Sequence, residues 1–201
     1  MRIAGVILAG GEGRRMGGAD KALIRLGGAP LLARVAARFG PQVDALALSA
    51  NGPPRAYAAA GMPVLADTRP GGQGPLAGVL AGLDWAADAG ADLLATVAVD
   101  TPFLPQDLVA RLAEARARAD AAVAFAESGG RRHPTAALWR VDLRSPLRTA
   151  LAAGTRRMEA FVGARGAVPV TFAIGAVDPF FNVNTPDDLA SAERYLAENA
   201  R

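Results

Sequence analysis

The chain has 201 residues, 51% apolar and 20% charged, with a formal net charge of +3. That is the profile of a folded domain with a substantial core, not of a disordered segment. The basic residues are scattered rather than gathered into a long run, which excludes a nucleic-acid groove. The absence of cysteine excludes disulfides and thiolate metal sites.

In chain order, Ile3–Leu8 reads as a buried strand. Pro30–Phe39 reads as a helix with proline in its first turn, Ala45–Ser49 as a second strand and Pro54–Ala60 as a short helix. Residues 63–66 form a third strand, and 76–89 are helix-like despite Gly78 and Gly82. Leu93–Val99 is a strong strand. Pro105–Arg118 follows as a helix, with Leu104, Leu108 and Leu112 at a spacing of four. Ala121–Phe125 is a further strand. Beyond it come a strand at Thr135–Trp139, helices at Ser145–Ala153 and Arg156–Val162, a strand at Val168–Phe172, and a last helix from Pro186 to about Ala197. Wholly apolar strands alternating with helices imply an α/β fold whose mainly parallel sheet is covered on both faces. Ligands on such a sheet sit beyond the carboxyl ends of its strands, so the loops after Leu8, Ser49, Ala66 and Val99 matter most. With no internal repeat, linker or boundary, residues 1–201 are expected to be one domain. No apolar run has membrane-spanning length, and the stretch before Ala9-Gly10-Gly11 is too short for a signal core and its cleavage site, so a cytoplasmic location is expected.

The first of those loops is LAGGEGRRMGGADK, Leu8 to Lys21. It is not a Walker loop, because the lysine follows Asp20 rather than glycine. It is not a dinucleotide fingerprint either, because Met16 stands where the third glycine belongs. Glycines nevertheless let backbone N–H groups approach an anion closely, and Arg14, Arg15 and Lys21 can neutralise a triphosphate. Lys21 is the only lysine; the other 21 basic residues are arginine. A compact point charge therefore stands in this loop alone.

Leu93–Val99 runs into Asp100-Thr101-Pro102-Phe103-Leu104-Pro105. A carboxylate there is open to two readings, a ligand for Mg²⁺ or a cap for the following turn. Asn51-Gly52 is equally open between a turn and an amide that reads a purine edge. Gly78 suits either close helix packing or close approach by a substrate. In Phe181-Asn182-Val183-Asn184, extended backbone puts both amides on one side, where they can bond a heterocycle without adding charge. Thr185, Pro186 and Asp188 have the spacing of a helix start. His133, the only histidine, precedes a proline and reads as structural. Arg156 and Arg157 are open between solvation at the surface, the simpler reading, and contact of one of them with an acceptor phosphate.

Taken together, LAGGEGRRMGGADK, the segment from Asp67 to GPLAG, VDTPFLP and FFNVNTPDDL, with RRHPTAALW, resemble nucleotidyltransferases that join a nucleoside monophosphate to a phosphorylated acceptor. Within that group they are most similar to the molybdenum cofactor guanylyltransferases. The resemblance implies a three-layer α/β/α fold with a Rossmann-like sheet of the nucleotide-diphospho-sugar transferase type. It implies GMP transfer from GTP to molybdenum-molybdopterin with release of pyrophosphate, and Mg²⁺ held by Asp100. It gives catalytic roles to Arg15, Lys21 and Asp100, and GTP contacts to Leu8, Ala9, Gly10, Gly11, Lys21, Asn51, Asp67 and Asp100. Gly18, Gly74, Gly78, Asn182 and Asn184 fall to the molybdopterin side, and transient contact with other proteins of molybdenum cofactor biosynthesis is implied. Three alternatives stand beside it: a molybdopterin cytidylyltransferase, a sugar-phosphate nucleotidyltransferase, and a non-catalytic GTP-binding module. The Arg15/Lys21/Asp100 set argues against the last.

Overall fold

The computed structural model describes residues 1–10, 20–66 and 74–199. Nine strands are present among them: β1 (Ile3–Leu8), β2 (Arg25–Leu26), β3 (Ala29–Pro30), β4 (Ala45–Ser49), β5 (Val64–Leu65), β6 (Leu93–Ala98), β7 (Val123–Ser128), β8 (Arg131–Arg140) and β9 (Val168–Phe172). The helices are α1 (Leu31–Phe39), α2 (Pro75–Asp88), α3 (Leu108–Arg118), α4 (Arg144–Ala152), α5 (Met158–Gly163) and α6 (Pro186–Asn199). Seven strands form one sheet in the order β5-β4-β1-β6-β8-β7-β9. In that sheet only β8 runs against the others.

Alternation along the strands divides the core. Ile7, Leu48 and Val97 face a layer made with Val35 and Phe39 of α1 and Leu108 and Leu112 of α3. Val6, Leu8 and Leu94 face the opposite layer, with Val79 and Leu83 of α2, Leu147 of α4 and Phe161 of α5. Full burial of each such Leu or Phe stabilises the fold by about 1.5–3 kcal/mol. The buried Trp139 indole donates to Thr96 Oγ1 at 2.9 Å, and Thr96 donates in turn to the carbonyl of Thr135 at 2.9 Å. Neither core layer is therefore left with an unpaired polar group at this crossing of β6 and β8.

Pro54–Ala60 is the short helix expected there, wound as a 3₁₀ helix and closed by Gly61 at φ 65°. Several elements depart from the sequence reading for local reasons. The helix expected from Pro105 starts at Leu108 instead, where Val109 N donates to Gln42 Oε1 at 3.0 Å. Its cap thus comes from a distant element. β7 lies at Val123–Ser128 rather than Ala121–Phe125, and β8 is ten residues long where Thr135–Trp139 was expected. The β7–β8 hairpin turns at Gly129-Gly130, both with positive φ, and carries the pairing across a register shift between Phe125 and Ala126. Two-residue strands β2 and β3 are too short to leave an alternating signal.

Candidate active site

The carboxyl ends of β1, β4 and β6 meet at one edge. There Ala9 N donates to the Ser49 carbonyl at 2.8 Å and Val99 N to the Leu8 carbonyl at 3.0 Å. A cavity of ≈ 170 Å³ opens between Leu8, Gly10, Ser49, Gly74, Gly78 and Thr135. Gly74 begins α2 with φ 73°, a conformation that favours glycine. A side chain at Gly78 would place its Cβ 2.5 Å from Ser49 Oγ. The close helix–strand approach explains that glycine from within the fold, and it also leaves the cavity floor open. A Cβ on Gly10 would stand 3.7 Å from Asn51 Nδ2, so the loops after β1 and β4 present Gly10 and Asn51 side by side.

Beside this cavity, three distant segments converge. Lys21 Nζ donates to Asp100 Oδ2 at 2.9 Å and to Asn184 Oδ1, and Asn182 Nδ2 donates to Asp100 Oδ1 at 2.9 Å. The Lys21 and Asp100 side chains are only 17% and 15% exposed, so the pair is shielded yet reachable from the crevice. Asp100 leaves β6 through a tight turn in which Thr101 Oγ1 donates to the Ala98 carbonyl at 2.7 Å. Val183 N donates to the Asp100 carbonyl at 2.9 Å. Val183 is fully buried with Leu26, Leu31 and Ala192 in a small core of its own, under the β2–β3 hairpin and α6. Gly27 N donates to Glu193 Oε1 at 2.8 Å and ties the hairpin to α6. Lys21 precedes that hairpin, so packing under α6 fixes both the lysine and the two asparagines.

The helix start expected at Thr185 is present and reciprocal. Asn184 N and Thr185 N donate to Asp188 Oδ2 at 3.0 and 2.8 Å, and Asp188 N donates to Thr185 Oγ1 at 3.1 Å. Burial pushes the Asp188 carboxyl up. Hydrogen bonds from the Thr185 side chain and those two backbone N–H groups, with Lys21 nearby, outweigh it and hold the group below the ordinary carboxylate range. Lys21 thus adds a small electrostatic contribution at Asp188 besides its direct bond to Asp100.

His133 is structural, as its sequence context suggested, but its partners were not legible. Ser128 Oγ donates to Asp178 Oδ1 at 2.8 Å and lies 2.8 Å from His133 Nε2. With its one proton directed at Asp178, the hydroxyl must accept from His133 Nε2–H. The ring stacks on Phe180 with centroids 4.7 Å apart, and Phe180 N donates to Asp178 Oδ1 at 2.9 Å. This cluster anchors the start of the segment bearing Asn182 and Asn184. Burial lowers the His133 pKa from 6.5, with Asp178 opposing and Arg131 assisting. The unfolded chain then binds more protons just below pH 6.5, so this contribution is present above that value and lost as pH falls. We expect the one imidazole signal in the NMR spectrum to titrate below 6.5. We also expect the denaturant midpoint to decline more steeply with falling pH than it does in His133→Gln.

Arg156 Nη1 donates to the carbonyls of Leu151 and Thr155 at 2.8 and 3.0 Å, capping the end of α4. Arg157 is exposed. Gly11, Arg15, Gly18 and Asp67 lie outside the described residues.

Among the described residues no group of three carboxylate or imidazole side chains is placed to hold a metal. Asp100 nevertheless fits Mg²⁺. Among the described residues each of its oxygens accepts one hydrogen bond, from Lys21 or Asn182, which leaves a second lone pair on each for a metal. Mg²⁺ characteristically takes one or two carboxylates and completes its shell with substrate phosphates and water.

A family model described as the MobA-like NTP transferase domain matches residues 5–168. The chain belongs to this family. Full-length relatives agree: a molybdenum cofactor guanylyltransferase of Rhodobacter capsulatus is 55% identical over 202 residues, and one of Cereibacter sphaeroides is 54% identical over 200, each match covering 100% of both chains. This MobA-like transferase also shares its fold with the molybdopterin-guanine dinucleotide biosynthesis protein A of Archaeoglobus fulgidus. That structure matches at TM-score 0.76 and 23% identity over 98% of this chain and 100% of the other. The 4-diphosphocytidyl-2C-methyl-D-erythritol synthase of Anaerococcus prevotii matches equally well in shape, with TM-score 0.76 at 14% identity over 98% and 96% of the two chains. At these identities the likeness is one of fold, and function has to be argued from the site itself. Among the described residues no helix is long and apolar enough to cross a membrane.

Proposed function

We propose that the crevice transfers GMP from GTP to molybdenum-molybdopterin, giving the guanine dinucleotide form of the cofactor and pyrophosphate. The observation that carries this reading is the meeting of Lys21, Asp100, Asn182 and Asn184 across chain separations of 79, 82 and 163 residues. A cation, a carboxylate and two neutral amides suit a site that brings two anions together. The relatives that are more than half identical, named for this activity, support the same assignment.

The sheet order supports a division of labour. The loops after β4 and β1 carry Asn51 and Leu8-Ala9-Gly10, which we assign to GTP together with Lys21, Gly11 and Asp67. The segment of Asn182 and Asn184, bonded to Asp100 at the end of β6, is assigned to the acceptor together with Gly18, Gly74 and Gly78. Asp100 stands between. A terminal phosphate oxygen of the acceptor attacks the α-phosphorus of GTP, and the bond from that phosphorus to the bridging β-phosphate oxygen breaks. The attacking oxygen is already anionic, so no side chain has to take a proton. Lys21 and Arg15 neutralise charge that gathers on the departing pyrophosphate. Asn182 and Asn184 align the acceptor. Asp100 is the residue that would hold Mg²⁺, which when bound supplies charge neutralisation between the reacting phosphates. The chain acts as one cytoplasmic nucleotidyltransferase domain, receiving its labile acceptor through transient contact with proteins of the same biosynthesis.

The deciding experiment offers each of the four nucleoside triphosphates with Mg²⁺ and molybdopterin, and identifies products by mass. GTP is expected to give the guanine dinucleotide with stoichiometric pyrophosphate. Preference for CTP would reassign the base. Turnover of a sugar phosphate would reassign the acceptor. GTP binding without pyrophosphate release would reduce the protein to a nucleotide-binding module.

A further inference from the structure

The residue before the lysine has two partners that the reaction itself does not require. Asp20 Oδ1 accepts from Ala22 N at 3.0 Å, capping the 3₁₀ turn Lys21–Leu23. Its other oxygen, Oδ2, accepts the phenolic proton of Tyr57 at 2.5 Å. Tyr57 is buried, at 3% exposure, in the 3₁₀ helix that follows Asn51-Gly52. The loop closes tightly over this bond: a Cβ on Gly52 would lie 2.3 Å from Tyr57 Oη and 3.5 Å from Asp20 Oδ2. Burial first, and then the hydrogen bond to Asp20 and its charge, push the Tyr57 phenol up to about 12. It therefore stays a donor throughout the pH range in which an enzyme works.

We infer that Asp20 and Tyr57 are a positioning pair that fixes the phosphate-binding Lys21 against the loop presenting Asn51. The need is physical. A three-residue 3₁₀ turn has almost no stability of its own. A lysine stem has four rotatable bonds, while transfer requires its ammonium to be held to within a fraction of an ångström. A hydrogen bond between the Asp20 side chain and a shielded phenol, with the Ala22 N bond beside it, supplies that anchor. It also couples the two ends of the nucleotide, because one carboxylate joins the loop assigned to the base to the turn that carries the phosphate cation. The inference rests on the proposed guanylyl transfer for its catalytic consequence, but not for its geometry.

Tyr57→Phe removes the hydroxyl and keeps the ring. Its kcat is expected to fall on the order of tenfold, while KM for GTP changes less than about threefold, as for an alignment lost mainly in the transition state. Asp20→Ala is expected to lose on the order of a hundredfold, and the double variant to be no worse than Asp20→Ala alone. Asp20→Asn should retain most activity, because the amide still accepts from Ala22 N and its NH₂ can donate to Tyr57 Oη. Lys21 being the only lysine, protein labelled with ¹³C at lysine Cε gives a single side-chain resonance. That resonance is expected to shift in Tyr57→Phe and to stay near its wild-type position in Asp20→Asn. A Tyr57→Phe protein with unchanged kcat and an unmoved lysine resonance would overturn the pairing, as would additive losses in the double variant. Should the wild type release no pyrophosphate, guanylyl transfer fails as a reading. The lysine resonance then decides alone, and a signal unmoved by Tyr57→Phe still overturns the pairing.

Discussion

Asp100→Asn is expected to abolish transfer while leaving the fold in place. The side chain keeps its size, but it exchanges two acceptor oxygens for one acceptor and one donor. Lys21 Nζ and Asn182 Nδ2, each 2.9 Å from one carboxylate oxygen, are both donors, so whichever faces the new NH₂ loses its partner. The negative charge that would hold Mg²⁺ is lost as well. Loss of preorganised charge at a phosphoryl-transfer centre costs on the order of 10²–10⁴-fold in turnover. The turn itself should survive, since Thr101 Oγ1 still closes on the Ala98 carbonyl and Val183 N still reaches the carbonyl of residue 100. Pyrophosphate release, thermal unfolding and GTP binding with and without Mg²⁺ read these effects separately. The expected pattern is near-normal unfolding, retained GTP binding that no longer responds to Mg²⁺, and almost no product. Turnover within a few-fold of wild type would remove Asp100 from the chemistry.

What the sequence disclosed about this site follows from the range of the interactions involved. Strands β1 and β4 lie where their apolar runs placed them, because a strand buried on both faces declares itself locally, and β9, an edge strand with alternate residues exposed, also lies at its expected bounds. The cap at Thr185 was equally local. Lys21 stood out by composition and Asp100 by its place after a strong strand. Their meeting at 2.9 Å was implied by the rule that ligands sit beyond strand ends, although no residue pattern prescribes a distance. The Asn182-x-Asn184 spacing gave a shared side but not the neighbours. In the structure one amide donates to Asp100 and the other accepts from Lys21, which makes the asparagines part of the charged centre as well as candidates for the acceptor.

The unread parts depend on contacts between segments far apart in the chain. Gln42 caps α3 from 67 residues away, and Ser128 reaches Asp178 across 50. Arg156 looked like a surface cation, yet it reaches back five residues to the Leu151 carbonyl. Gly78 illustrates how one residue type can satisfy two demands. Its missing side chain is required by Ser49 on β4, so its presence in the sequence could never by itself have distinguished packing from substrate contact.

Lys21→Ala and Lys21→Arg are expected to fail to similar extents, and that equality is the more informative result. Alanine removes the charge. Arginine keeps the charge but replaces a compact ammonium with a planar fork, which cannot occupy the point where Nζ bonds Asp100 and Asn184 together. If Lys21 served only to raise the local potential, arginine would restore most of the turnover. If it must sit at one place against a departing pyrophosphate, both variants should fall by about 10²-fold or more in kcat/KM. The fold should tolerate either change. The turn's cap comes from Asp20 rather than from Lys21, and the hairpin beyond it is held by buried Leu26 and Leu31. Short alkylamines offer a sharper check on Lys21→Ala. An amine that fits the vacated channel returns an ammonium without the tether, and it should restore part of the lost rate with saturation in amine and an optimum chain length. Restoration by a bulky guanidine as readily as by a small amine would mean that charge alone is required there, and the point-contact role of Lys21 would be wrong.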